Sequence, residues 1–497
     1  MQKIVWLLLL ASPFFINAQQ IEVLDVEKIS GTIHILPKTE SVEGKIQVKF
    51  KVLQSTDSIY LDAVKIDAEI TKKSSSKPKL FSAEKKIYFI DQFEAGKTYE
   101  VEFTYQATPQ QTLYFVGWDN DGSNQIWSQG QGKYTSHWLP SVDDMNDKIE
   151  FDLSYQVPQD YEVAANGKLV NKEKKGKEQL WHFDMQHPMS SYLVAVAVGK
   201  FEAKEITSTS GIPIKLYYEA QDEEKVAWTY KHSQQIFDFF EEEIGVAYPW
   251  QNYKQIPVRD FLYAGMENTT ATIFSDMFMV DQIGFIDRNY VNVNAHELAH
   301  QWFGDLVTEK SGTHHWLQEG FATYYALLAE REIFGDDYFY FKLYQNAEKL
   351  KELSDTGKGE ALKNAKASSL TFYQKGAWAL HILREKVGDE AFKSGVKNYL
   401  NKYAFQNVET EDFIAEIEKT SGMDLTQFEE DWLEQSAFKS SQALASLRES
   451  EFMEEYLSLI ALRTISMEEK YESLNKALDF PVNDYLGQEV VAQLAQE

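Results

Sequence analysis

AHELAHQWFGDLVTEKSGTHHWLQEGFATYY, residues 295–325, decides the reading of this chain. His296-Glu297-Leu298-Ala299-His300 is an H-E-x-x-H motif. Two histidines four apart share one helix face, so both imidazoles can reach one ion. Glu319 opens the next apolar helix and completes the expected ligand set of His296, His300 and Glu319. Three protein ligands leave one position of a tetrahedral zinc free for water, which marks a catalytic site rather than a structural one. Glu297 adjoins the first ligand, where a carboxylate acts as general base.

The bland alternative is a solvated helix with two surface histidines. Apolar residues at Val293, Leu298, Trp302, Phe303 and Leu306 argue instead for a core-facing helix. Gly304 and Gly312 let the chain turn back, and the run from Trp316 to Leu328 carries Glu319 in its first turn. A carboxylate buried opposite two histidines is costly without a cation beside it. His314 and His315 are read as surface residues or as residues behind the ligands.

The chain has 497 residues, enough for several domains and a large core. It has no cysteine, so His, Asp and Glu must supply any metal ligands. A formal charge of −28 argues against nucleic acid and against anionic membrane surfaces as partners. Met1 to Ala18 reads as a signal peptide: Lys3, an apolar run from Ile4 to Leu10, and Ala18 before Gln19. No later apolar run is long enough to span a bilayer, so no membrane insertion is expected once the signal is removed. Export without cysteine fits a bacterial periplasm or exterior.

Four segments are expected: a signal peptide at 1–18, a β-domain at 19–203, a domain carrying the H-E-x-x-H segment at 204–440 and a helical segment at 441–497. Strict alternation from Lys45 to Val52, Tyr99 to Tyr105 and Ile149 to Val157 predicts half-buried antiparallel strands. Beyond 204 the period changes. Helices are expected over Glu223–Ile244, Phe334–Ser354, Ser368–Val387, Glu390–Lys402 and Thr410–Ser421, and again over Glu451–Ile465 and Gln488–Gln496.

Two further residues have a chemical use beside such a metal. Glu267, in Gly265-Met266-Glu267-Asn268, can bind a free α-ammonium group and so direct cleavage to the first peptide bond. Tyr373 can donate to the oxyanion of a tetrahedral intermediate. Taken alone, each also fits a plain role, as an exposed loop carboxylate and as a packing tyrosine.

Together, Gly265-Met266-Glu267-Asn268, the H-E-x-x-H run to Thr308, Trp316-Leu317-Gln318-Glu319-Gly320 and Tyr373-x-Lys375-Gly376 resemble the zinc aminopeptidases typified by aminopeptidase N and leukotriene hydrolase. Eighteen residues separate His300 from Glu319, as in that family. The resemblance implies an α+β multidomain fold: an N-terminal antiparallel β saddle-like domain, a thermolysin-like catalytic domain and a short C-terminal helical segment. It also implies one zinc ion per chain, substrate contacts at Glu267, Gly265, Met266, Asn268 and Gln131, and catalytic roles for Glu297 and Tyr373. Gln131 lies in a stretch, Gln129-Gly130-Gln131, similar to the family's substrate-lining segment. The chain departs from the pattern at Gln318, where asparagine is usual, at Gln374, where glutamate is usual, and at Ser136, where arginine is common. Most members also carry a long C-terminal helical domain, whereas about 57 residues follow position 440 here.

The expectation is therefore an exported zinc aminopeptidase acting on peptides with a free N-terminus. A zinc endopeptidase and a non-catalytic peptide-binding protein on the same fold are the rivals.

Overall fold

A computed structural model of the chain describes residues 20–70, 78–118 and 124–495. The expected signal peptide at 1–18 lies outside the described residues. So do most of the polar loop around Lys72–Pro78 and the last residue of the helix expected to reach Gln496.

The first half is β-structure because its strands alternate buried and exposed side chains. In Ser41–Val52 every second residue is buried from Val42 to Val52. An eight-stranded sheet holds this strand between Leu24–Leu36 and Thr98–Ala107. Its pairings are antiparallel except Leu24–Leu36 with Lys148–Pro158, which run parallel. A four-stranded sheet, Glu162–Ala165, Val196–Gly199, Gln125–Ser128 and Leu113–Val116, lies nearer the second half. A 3-10 turn at Ser191–Leu193 leads into the strand Val196–Gly199 of this sheet.

The second half opens with a five-stranded sheet in the order Phe201–Thr207, Pro213–Glu219, Tyr253–Val258, Ala271–Ser275, Gly265–Met266. Phe201–Thr207 pairs with Pro213–Glu219, so the change of sheet falls near 200 rather than 203. The three inner strands are parallel and the two edge strands antiparallel. Helices follow. Thr410–Ser421 has the expected bounds, and Asp389–Lys402 and Asp336–Asp355 differ by a residue or two. The helix expected over Glu223–Ile244 is broken: a 3-10 turn at Ala220–Lys225, a short helix at Val226–Thr229, then Ser233–Ile244. Of the four helices after 440, Ser440–Leu447, Glu451–Ala461 and Asp484–Leu494 dock on Asp336–Asp355, where Phe341 stacks on Tyr485 at 4.1 Å and meets Tyr456 edge-on at 5.4 Å. No helix among the described residues is long and apolar enough to cross a membrane.

Two helices frame the site. Val291–Ala299 carries His296 and Glu297 and ends one residue before His300. Trp302, Phe303 and Leu306, expected on that helix, lie beyond it in a turn and are buried. Gly304 takes a φ of 136°, a conformation open to glycine, and so lets the chain reverse. Trp316–Phe334 then brings Glu319 back, with Phe303 stacked on Phe321 at 4.4 Å beneath the turn.

A third helix, Gly376–Val387, meets Trp316–Phe334 glycine to glycine. A Cβ on Gly376 would lie 2.7 Å from the Gly320 Cα, and one on Gly320 would lie 3.0 Å from the Gly376 Cα. This approach sets the segment Thr371–Lys375 beside Glu319. Overpacking of this kind costs about 1–3 kcal/mol. Gly376→Val is therefore expected to lower unfolding free energy by about that amount in chemical denaturation. Stability equal to the parent's would show that the two helices have room to spare.

Candidate metal centre and active-site cleft

His296 Nε2 and His300 Nε2 are 3.1 Å apart, and Glu319 Oε2 is 3.3 Å from each. Donors about 2.0–2.1 Å from a tetrahedral ion stand about 3.3 Å from one another, so this triangle matches one face of a zinc site. His300 Nδ1 donates to the Phe303 carbonyl at 2.9 Å. That bond fixes the tautomer and leaves the Nε2 lone pair facing inward, as a metal ligand requires. Glu319 is 1% exposed, and its Oε2 accepts no hydrogen bond among the described residues. Burial would raise the Glu319 carboxyl, but the two imidazoles outweigh it and hold it well below the usual range. The donor set thus fits a divalent cation.

Among the described residues, Glu267 and Glu297 cluster with His300 and belong to the same site, whereas two other clusters lack this character. Glu150, Asp152 and Asp184 are half-buried, and Lys28 already pairs with the first two. His314, near Glu409 and Glu411, is engaged by Thr410 through both its hydroxyl and its backbone N–H at 3.0 Å.

A cavity of about 950 Å³ opens over the triad, lined among others by Gln131, Gly265, Glu267, Glu297 and Tyr373. A second cavity of about 410 Å³ shares Gln131, Glu267, His315 and Phe372 with it. Glu267 is 4% exposed, and its Oε1 has no hydrogen-bond partner among the described residues. Burial raises its carboxyl above the ordinary value, against the pull of His300. Glu297 is buried and likewise pushed up by burial, then by Glu267 and Glu319, with His300 opposing. A bound cation would pull Glu267 and Glu297 the other way and Glu319 further down.

Gly265 lets the edge strand pass close over Glu297: a Cβ there would stand 2.4 Å from Glu297 Oε1. Met266 and Asn268, expected as substrate contacts, are not among the residues lining either cavity. Met266 points into the core, where its sulfur accepts from Gln129 Nε2, and Asn268 Nδ2 donates to the Leu193 carbonyl. Met266 follows cleft-lining Gly265 in the strand Gly265–Met266, where alternation turns it inward, and Asn268, beyond the strand, is held inward by its bond to Leu193.

Tyr373 sits in a π-helical turn, Thr371–Lys375, with its ring parallel to His296 at 5.4 Å. Burial first, then the charge of Glu319, drives its phenol upward, so it stays a proton donor. Lys375 anchors the turn: its Nζ donates to the carbonyls of Glu360 at 2.7 Å and Gln435 at 2.8 Å.

Gln301 is a residue that the motif reading passed over. It is fully buried and ties the metal turn to the Glu267 loop. Its Nε2 donates to the Glu267 carbonyl at 3.1 Å, and its Oε1 accepts from Thr270 N at 2.8 Å and Tyr248 OH at 3.2 Å. Its signal was a glutamine directly after the second histidine, among apolar neighbours, where a polar group needs internal partners. Asn166 and Gly167 hold the same loop from the β-domain, through Thr269 O and Thr270 Oγ1.

Comparison with known proteins agrees with this geometry. The model of the peptidase M1 N-terminal domain matches residues 29–193, and that of the peptidase family M1 domain matches residues 228–432. "Probable aminopeptidase 1" of Sulfurisphaera tokodaii is 28% identical over 406 residues, 79% of this chain and 51% of that protein. The leucyl aminopeptidase of Saccharolobus solfataricus is 27% identical over 425 residues, 83% of this chain and 54% of the relative. The chain thus spans about half the length of the curated relatives it matches. Among solved structures, a mutant M1 zinc metallopeptidase from Deinococcus radiodurans superposes with a TM-score of 0.72 at 21% identity, covering 84% of this chain and 95% of that one. The same metallopeptidase bound to a Tyr-Ser-Ala substrate superposes at 0.69. Two domain models in the same order, over the His–His–Glu triad, place this chain in the peptidase M1 family.

Proposed function

We propose that the chain is a zinc-dependent aminopeptidase that removes N-terminal residues from peptides, with one zinc held by His296, His300 and Glu319. The observation that carries the exopeptidase reading is Glu267: a buried carboxylate oxygen without a partner among the described residues, facing the cleft beside the triad. Such a group calls for a cation, and a peptide's α-ammonium supplies one. Gln131, in the wall shared by both cavities, stands at the same end. Curated relatives bearing aminopeptidase names support this reading.

When bound, zinc supplies Lewis acidity to the scissile carbonyl and to the attacking water. The protein does the rest. Glu267 and Gln131 hold the substrate's N-terminus, which sets the first peptide bond at the triad. The edge strand Gly265–Met266 leaves one side open for the extended peptide backbone. Glu297 accepts a proton from the attacking water and passes it to the departing amine. Tyr373, protonated and stacked on His296, donates to the oxyanion.

The pattern of Met1–Ala18 and the absence of cysteine support a further part of the proposal: the protein is exported, to a periplasm or the exterior, with processing after Ala18. N-terminal sequencing of the mature protein is expected to begin at Gln19. A mature chain that keeps Met1 contradicts export by this route.

Glu297→Gln preserves shape and leaves the ligands intact. Metal analysis is expected to find zinc retained while kcat falls at least 100-fold, the scale of lost general-base catalysis. Parent-like turnover would exclude Glu297 as the base. The parent is expected to ignore N-acetylated peptides, and Glu267→Ala to lose most of its kcat/KM on free ones. Equal cleavage of acetylated and free peptides by the parent would favour an endopeptidase instead.

A further inference from the structure

The cleft continues well past the triad. Glu319, Thr323, Leu327 and Glu330 fall on one face of Trp316–Phe334, and all four line the larger cavity. Eleven residues of helix separate Glu319 from Glu330, a run of about 16 Å at about 1.5 Å per residue. The other end fixes the direction of this run. Gln131, Glu267 and His315, which precedes the helix, also line the smaller cavity, whereas Glu330 and Lys342 line the larger one alone. A peptide whose amine sits at Glu267 therefore has its leaving side along the helix towards Glu330.

That far end holds a cation. Lys342, half-buried on Asp336–Asp355, has its Nζ over the Tyr338 ring at 5.2 Å. The Tyr338 hydroxyl donates to Glu330 Oε1 at 2.9 Å, and Asn292 Nδ2 donates to Glu330 Oε2 at 2.9 Å. Glu330 is thus engaged by neutral donors, and it attracts Lys342 only through space. Among the described residues, no carboxylate lies within ion-pair distance of Lys342. Asp287 and Arg288, exposed on the same cavity wall, are opposite charges side by side in the chain.

We propose that Lys342 receives the C-terminal carboxylate of short peptide substrates, so that the cleft holds them by both ends. The proposal rests on the aminopeptidase reading above. An extended chain rises about 3.3 Å per residue, so about five residues cross from the triad to Glu330. With one residue ahead of the cut bond, a peptide of about six residues brings its carboxylate to Lys342. The chain's formal charge of −28 otherwise repels that carboxylate. A charge-assisted contact of this kind contributes about tenfold to binding. Lys342 is remote from the reacting bond and holds ground and transition state alike, so the gain falls on KM and not on kcat. The competing account is a lysine that only keeps the wall hydrated.

Release of the first residue, measured on the full chain, separates the two accounts. Peptides of increasing length are compared, each as free acid and as C-terminal amide. The parent's ratio of kcat/KM, acid over amide, is expected to peak at about tenfold for a length of about six residues, through KM, and to shrink in high salt. In Lys342→Met the ratio is expected to fall close to one. Each variant is its own control, because damage to fold or metal lowers both substrates and leaves the ratio. Lys342→Gln takes its place should the methionine variant fail to fold. Arg288→Met removes an exposed charge from the same wall and is expected to keep the ratio. An amidated peptide ending in glutamate separates the chain end from an acidic side chain, and no gain over other amides is expected. A ratio that survives Lys342→Met, an equal loss in Arg288→Met, or a full gain from the glutamate amide each overturns the proposal. A parent that releases no first residue from any peptide overturns the reading beneath it as well. A parent that does so with a ratio near one at every length overturns this proposal alone.

Discussion

Glu319 Oε2 stands 3.3 Å from two imidazole nitrogens, out of water and without a hydrogen-bond donor among the described residues. Removing a carboxylate from water costs several kcal/mol unless a counter-charge replaces the solvent. In the neutral form that ligates a metal, the two imidazoles cannot supply it, because their inward nitrogens present lone pairs. A divalent cation resolves the conflict for all three groups at once. The rest of the catalytic half is arranged so that they cannot move apart. The Gly320–Gly376 contact locks the Glu319 helix against its neighbour. Asn294, on the histidine helix, bonds to both Gln255 and Ser233 and so pins that helix to the sheet and to Ser233–Ile244.

The same economy couples metal to substrate. Gln301 begins one residue after the second histidine and ends on the backbone of Glu267. The group proposed to receive the substrate's ammonium is therefore positioned from the turn that ligates the ion. The β-domain holds the other side of that loop through Asn166 and Gly167, and it contributes Gln131 to the cleft wall. Residues of both halves thus build the cleft wall.

Much of this was legible in the residues because it is periodic. Alternation marked the strands, and a spacing of four marked the histidine pair. The irregular parts were not legible. The helix stops at Ala299 because the chain must reverse at Gly304, so Trp302 and Phe303 are buried by a turn and not by a helix face. The π-turn around Tyr373 leaves no repeat in the sequence, since its shape comes from Lys375 reaching three distant carbonyls. Met266 and Asn268 were grouped with Glu267 by adjacency, whereas an extended backbone sends neighbours to opposite sides. His314 and His315 looked equivalent in the chain. Only folding separates them, one onto Thr410 and the other between Glu309 and Glu319.

The central claim is that the triad and Glu267 form one metal-dependent site for free N-termini. The most direct measurement is release of a chromophore from a panel of amino-acyl arylamides, before and after a chelator and again after zinc is restored. The account predicts hydrolysis that disappears with the chelator and returns with about one equivalent of zinc per chain. Undiminished hydrolysis by the metal-free protein, or none on any arylamide with zinc bound, would contradict it.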